Sequence, residues 1–307
     1  MTPWLIRPQE STGLHEMTVS RFVTDRFEIA VRAEATLGEG PTWDARTSTL
    51  LWVDILAPEI HRWSPSTGVN ETMAAPMDVG AAKPRAGGGL VLNLRDGIAI
   101  VDSAGEQRWL VYWARDGVRG NDAGVDAAGR LWAGTMRYDT AEGGGWLARV
   151  EPNGKASTVL EKVSISNGIG WSPDNTRMYY ADTPTGLIEV FDYDLDSGTV
   201  SSRRPFADVD GSPDGLCVDA DGCVWVALWG DGQVRRYTPD GKLLSTVIVP
   251  ARNTTACCFG GDGLTDLYIT TARVGMTETD LKREPLSGSV FVIPNAGSGL
   301  PSTAFAG

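Results

Sequence analysis

The sequence predicts an all-β fold, a six-bladed β-propeller, and three observations predict it. A strand with a central aromatic or branched residue recurs as Leu51-Trp52-Val53, Leu90-Val91-Leu92, Leu131-Trp132-Ala133, Met178-Tyr179-Tyr180, Val224-Trp225-Val226 and Leu267-Tyr268-Ile269, with middle residues 39, 41, 47, 46 and 43 apart. A repeat of about 40 residues is the spacing of propeller blades, each a small sheet unable to bury its faces alone. The 37 glycines and 17 prolines are spread along the chain, as many short strands joined by tight turns require. Helical periodicity is almost absent, and a sandwich or two barrels would not need this regular spacing.

Each blade can be read in order. An apolar strand ending in a turn precedes five of the aromatic strands, at 41–44, 123–126, 169–172, 216–219 and 257–260. Third strands follow at Ile60-His61-Arg62-Trp63, Trp146-Leu147-Ala148-Arg149-Val150, Leu187-Ile188-Glu189-Val190-Phe191 and Gln233-Val234-Arg235-Arg236-Tyr237. They run into turns such as Pro152-Asn153-Gly154 and Pro239-Asp240-Gly241, whose residues favour chain reversal. Phe27-Glu28-Ile29-Ala30-Val31 is expected to supply an outer strand to the last blade, beside Ser289-Val290-Phe291-Val292-Ile293, closing the ring and removing an exposed edge. Residues 17–307 then form a single domain. Residues 1–16, polar and unpatterned, read as a disordered leader, with Met17 as an alternative start. The stretches 138–145 and 277–287 are the least regular and read as surface loops at the rim of the channel.

Charge narrows the partners. Net charge is −12 and no Lys/Arg run appears, which argues against nucleic acid or an anionic membrane as partner. Cys217, Cys223, Cys257 and Cys258 do not make a secreted disulfide framework in a chain this long, so a reduced, cytoplasmic protein is expected. No apolar run approaches the roughly 18 residues of a membrane span.

In a propeller the innermost strands line a central channel, so equivalent positions in different blades converge there. Aligning these strands on Trp43, Val125, Trp171, Val218 and Phe259 and stepping back four residues reaches Glu39, Asn121, Asn167, Asp214 and Thr255, every one with a side-chain oxygen. Two carboxylates and two amides at one mouth describe a hard divalent-cation site that calcium, magnesium or manganese would suit, with zinc less favoured. Few protein ligands leave open positions for water or substrate, the arrangement of a catalytic centre.

The chain has two histidines, His15 and His61, neither in the ring, which disfavours a Ser/His/Asp or His-dyad hydrolase. Gly-x-Ser-x-Gly, a phosphate loop and a dinucleotide fingerprint are all missing. Cys257 and Cys258 read as strand packing rather than as nucleophiles.

Several motifs then acquire a family. Leu37-Gly38-Glu39-Gly40-Pro41-Thr42-Trp43, Arg119-Gly120-Asn121-Asp122, Ala133-Gly134-Thr135-Met136, Ile165-Ser166-Asn167-Gly168-Ile169, Pro213-Asp214-Gly215 and Thr254-Thr255-Ala256-Cys257-Cys258-Phe259-Gly260-Gly261 resemble, in order, the senescence-marker-protein/gluconolactonase (regucalcin-like) family. The resemblance implies a six-bladed propeller that binds one divalent cation and hydrolyses sugar lactones to aldonic acids. It matches Glu39, Asn167 and Asp214 to the metal ligands and Arg119 and Asn121 to the substrate-contacting pair, so Asn121 moves from ligand to substrate contact. Two departures stand out. Ala123 follows Asn121-Asp122 where members commonly have Gly, and Arg137-Tyr138-Asp139 follows Gly134-Thr135-Met136 where many carry a substrate-touching acid, a role assigned here to Asp139.

The expected chemistry is attack of water on a metal-polarised lactone carbonyl, with Asp214 as ligand and general base, or a water held by Asp122 or Asn121 in its place. Two rivals remain at this point. One is a non-enzymatic propeller used as a binding module. The other is a metal-dependent hydrolase of other esters or organophosphates.

Overall fold

The computed structural model describes residues 20–22 and 27–307; the expected leader, residues 1–16, and Met17 lie outside the described residues. Six sheets follow one another around a ring, as the repeat predicts. The innermost strands are Gly38–Asp44, Val79–Pro84, Val118–Val125, Ser166–Trp171, Ser212–Val218 and Thr254–Gly260. In the first five blades three antiparallel strands step outward from each in sequence order.

The sixth sheet is closed by the other end of the chain. Glu28–Val31 pairs antiparallel with Val290–Ile293, in the register Glu28 to Val292 and Ile29 to Phe291. This joins first and last blades and covers the edge that Val290–Ile293 would expose. One pairing was not anticipated: Ser20–Phe22 adds a fifth strand, parallel to Leu243–Ile248, to the fifth blade. A second concerns the loop 277–287, which holds a short helix, Glu278–Arg283, begun by a capping box in which Thr277 and Asp280 satisfy each other's backbone N–H groups.

Burial falls from axis to rim. All seven residues of Gly38–Asp44 and of Thr254–Gly260 are buried, whereas the outer strand Asn70–Ala74 is exposed at four of its five positions. The core therefore lies between blades rather than at the axis. Leu51, Val53 and Ile60 of the first blade pack on Ala82, Leu92 and Ala99 of the second. Tyr179, Ile188 and Val190 of the fourth meet Leu216, Val226 and Leu228 of the fifth in the same way. The central aromatics of the repeats are thus held between sheets: Trp52, Trp132 and Tyr179 are fully buried.

Two recurring devices aim the channel-side residues. Every innermost strand breaks register with its neighbour near its start: after Glu39, Val79, Gly120, Ser166, Pro213 and Thr254. A bulge re-aims a side chain out of the sheet's alternation, and here it falls six times at one level of the channel. In the second blade the equivalent residue is Gly80, where a Cβ would lie 2.4 Å from Asn121 O, so that blade offers backbone only. Second, an aspartate at the outer end of a second strand clamps the entry loop. Asp54 accepts from Thr36 N at 2.7 Å and Leu37 N at 2.9 Å, just before Glu39. Asp182 accepts from Ser164 N at 3.0 Å and Ile165 N at 2.9 Å, just before Asn167.

Candidate active site

Among the described residues two cavities along the channel differ in their chemistry. The larger, about 400 Å³, lies toward the far ends of the innermost strands and is lined by Lys83, Asp122, Cys217, Cys257 and the segment 300–303. The smaller, about 300 Å³, is lined by Glu39, Arg119, Asn121, Asn167 and Asp214. The smaller is the candidate site, because only there do carboxylates, amides and a guanidinium face one space.

These five side chains are all buried. Arg119, Asn121 and Asn167 form one chain of hydrogen bonds. Arg119 Nη1 donates to Asn121 Oδ1 at 2.6 Å and to Gly120 O at 2.9 Å. Asn121 Nδ2 donates to Asn167 Oδ1 at 2.7 Å and to Ser166 O at 2.8 Å. Asn167 Nδ2 donates to Thr183 Oγ1 at 2.7 Å, and Thr183 passes its own proton to Pro213 O at 2.7 Å, beside Asp214. Each amide is thereby oriented, with Asn167 Oδ1 as the acceptor it offers. Thr183 carries no signal in the repeat alignment, since it sits on a second-to-third strand connection, and sequence reasoning missed it.

The carboxylates are under electrostatic stress. Burial, then repulsion from Asp122, pushes Glu39 up to about 8, although Gly40 N donates to its Oε2 at 2.9 Å. Burial, then repulsion from Glu39 and Asp122, holds Asp214 well above the usual carboxylate range. Asp214 Oδ1 is buried with no hydrogen-bond partner. A buried, orphaned carboxylate oxygen beside a second carboxylate and an oriented amide oxygen fits a hard divalent cation, which would relieve both the repulsion and the missing partner. Among the described residues no three His, Cys, Asp or Glu side chains cluster as a ligand set, and here the third donor is an amide.

The remaining sequence expectations divide. Thr255 stands at its register position but spends its hydroxyl on Gly38 O at 2.6 Å and on Thr270 Oγ1 at 2.8 Å, so it ties the sixth blade to the first. Asp122 faces the larger cavity, not this one. Ala123 has no positive φ, so the glycine common at that place is not required by the backbone. Asp139 is not brought to the site: its carboxylate pairs with Arg137 at 2.7 and 2.8 Å and its side chain is 57% exposed. Its neighbours Tyr138 and Thr140, in the turn that follows Leu131–Arg137, line the cavity instead. Tyr138 Oη donates to Asp78 Oδ2 at 2.5 Å across the mouth. The cysteines are free thiols, with Cys217 and Cys257 Sγ atoms 3.7 Å apart in the larger cavity's wall.

This geometry has known counterparts. The family model described as SMP-30/Gluconolactonase/LRE-like region matches residues 37–273. Regucalcin of Danio rerio is 36% identical over 291 residues, covering 92% of this chain and 99% of that protein. The 6-deoxy-6-sulfogluconolactonase of Pseudomonas putida is 36% identical over 291 residues, covering 93% of this chain and all of that protein (100%). Among solved structures, a calcium-binding regucalcin from Agrobacterium tumefaciens superposes with a TM-score of 0.87 at 29% identity, over 90% of this chain and 96% of that one. Matched from before Glu39 to beyond Thr255, with relatives aligned over nearly their whole length, the chain belongs to the SMP-30/gluconolactonase/LRE-like family.

Proposed function

We propose that this chain is a lactonase that opens sugar lactones to aldonic acids and depends on one divalent cation, calcium first among the alternatives. Glu39, Asn167 and Asp214 would hold the ion. The observation that carries the reading is the orphaned Asp214 Oδ1, buried beside Glu39 and the oriented Asn167 oxygen in one cavity. Family membership and the lactonase among the relatives support the reaction class. When bound, such an ion would polarise a carbonyl and stabilise negative charge developing on its oxygen.

The chain's own groups account for the rest. Arg119 spends Nη1 within the protein and has two further nitrogens to set against the lactone oxygens, through a planar fork that fixes direction. Asn121 holds that fork and Asn167 together. Asp214 serves as general base: it takes a proton from water as the water oxygen bonds to the carbonyl carbon, and the proton goes on to the ring oxygen as the acyl C–O bond breaks. A carboxylate positioned at the attacking water can take that proton, so no histidine is needed.

The test is a pH-drop assay over several aldonolactones with EDTA, then with calcium, manganese, magnesium and zinc restored separately. Activity should vanish with EDTA and return with at least one ion, and Asp214→Ala should lower kcat by 10³-fold or more, on the order expected when a base and a ligand are lost together. Full activity of that variant in metal-replete buffer would sink the assignment.

A further inference from the structure

The second blade has Gly80 at the ring position and so brings no side chain to the candidate site from there. Further along the same innermost strand, Lys83 is buried and lines the larger cavity. It reaches across to the first blade. Its Nζ donates to Thr42 Oγ1 at 2.8 Å and to Gly40 O at 3.5 Å, and Thr42 Oγ1 in turn donates to Gly40 O at 3.3 Å.

Gly40 is the hinge of the bulge that aims Glu39. With Pro41 it falls inside the register break between Glu39 and Thr42, at φ +56°, and its N–H donates to Glu39 Oε2 at 2.9 Å. Backbone groups that a buried bulge takes out of the ladder must find partners elsewhere. Here Glu39 satisfies the N–H, while Lys83 and Thr42 satisfy the carbonyl, so the conformation of the bulge is fixed from the neighbouring blade. We propose that Lys83 is a positioning residue for the cation site: through Thr42 and Gly40 it holds Glu39 in place as a ligand. The inference rests on the divalent-cation reading above and extends it to a residue of the other cavity.

Two effects of opposite sign meet at Lys83. Its positive charge opposes a cation, while its hold on the bulge favours one. Asp122 lines the same cavity and attracts Lys83, so the two together present little net charge to the site. The hold is left to decide the sign.

The test is calorimetry of calcium binding to the full-length protein. Lys83→Met keeps the length of the side chain and removes its donors; it should weaken calcium by about 10- to 100-fold, as loss of a group that supports a ligand does. The ion-free variant should still melt cooperatively, because an apolar side chain of that length can replace a buried ammonium whose hydrogen-bond partners are uncharged. Thr42→Val keeps the charge and removes the link. It should weaken calcium in the same direction, and the double variant should bind no more weakly than Lys83→Met alone. At saturating calcium, kcat on δ-gluconolactone should stay within about twofold of wild type, since the filled site is the same. Tighter or unchanged binding by either variant, losses that add in the double variant, or a kcat deficit that calcium does not restore overturns the inference. Wild-type protein that binds none of calcium, manganese, magnesium and zinc overturns the cation reading and this inference with it. Calcium binding that is weakened in the variants, without lactone hydrolysis by wild type, upholds the inference and overturns the lactonase reading alone.

Discussion

Asp214 and Glu39 concentrate the cost of the site in two side chains. Both carboxyls are pushed up by burial and by neighbouring negative charge, Glu39 to about 8. The sign follows from linkage. A carboxyl with a raised pKa keeps its proton in the folded state where the unfolded chain has lost it, so the ion-free protein should lose stability as pH rises from about 4.5 to about 8. Added calcium should lift Tm more at pH 8 than at pH 5, because ion and proton compete for the same oxygens. Thermal melts at the two pH values with and without the ion check this, and a Tm gain independent of pH would contradict it. His61 behaves oppositely. It is buried, with its ring 3.8 Å from that of Trp52, and burial lowers it to about 4. Its neutral form is favoured in the fold, so its contribution is present above about 6.5 and is lost as pH falls toward 4. An NMR titration of the His61 ring should show a midpoint below 5; a midpoint near 6.5 would mean a solvated ring.

Two kinds of aspartate do different work in the strands. Asp126 and Asp219 each end an innermost strand, curl a turn and accept a tryptophan Nε1–H, from Trp132 at 2.8 Å and Trp225 at 2.9 Å. Asp219 also holds Arg236 at 2.6 Å, with Asp219 fully buried and Arg236 mostly so. Asp219→Ala should therefore cost about 3–5 kcal/mol in urea unfolding, since it leaves a buried indole N–H unpaired and Arg236 with only the exposed Asp221. Asp54 instead acts through the loop that it clamps ahead of Glu39. Asp54→Ala should weaken calcium binding by about 10- to 100-fold in calorimetry, as loss of an outer-shell support does, while leaving a cooperative melt. Unchanged affinity would show that Glu39 is held by its bulge alone.

At the scale of the molecule the closing strand is decisive. Removing Glu28–Val31 uncovers the edge of Val290–Ile293 and unties the two ends of the ring. A truncation through Val31 should lower Tm and elute partly as oligomers in size-exclusion chromatography, the outcome for an open strand edge. A monomer with unchanged Tm would mean the other five interfaces hold the ring.

The blades, their order and the closing strand were legible because each rests on local pattern: alternating apolar residues, turn chemistry and a repeat spacing. The register that joined Glu39, Asn121, Asn167, Asp214 and Thr255 was legible for the same reason, since the bulge that aims them recurs at one place in every blade. Division of labour among the five was not. Thr255 is spent on Gly38 O of the first blade, a partner distant in sequence, while outside the five Asp122 faces the other cavity and Asp139 is drawn away by Arg137. Thr183 and Asp54 had no repeated motif to announce them. The sequence by itself determined the fold and the ring position, because both are periodic. Only the tertiary structure decided which oxygens are left unsatisfied and what surrounds them, because desolvation and hydrogen-bond accounting depend on every group that converges on the channel.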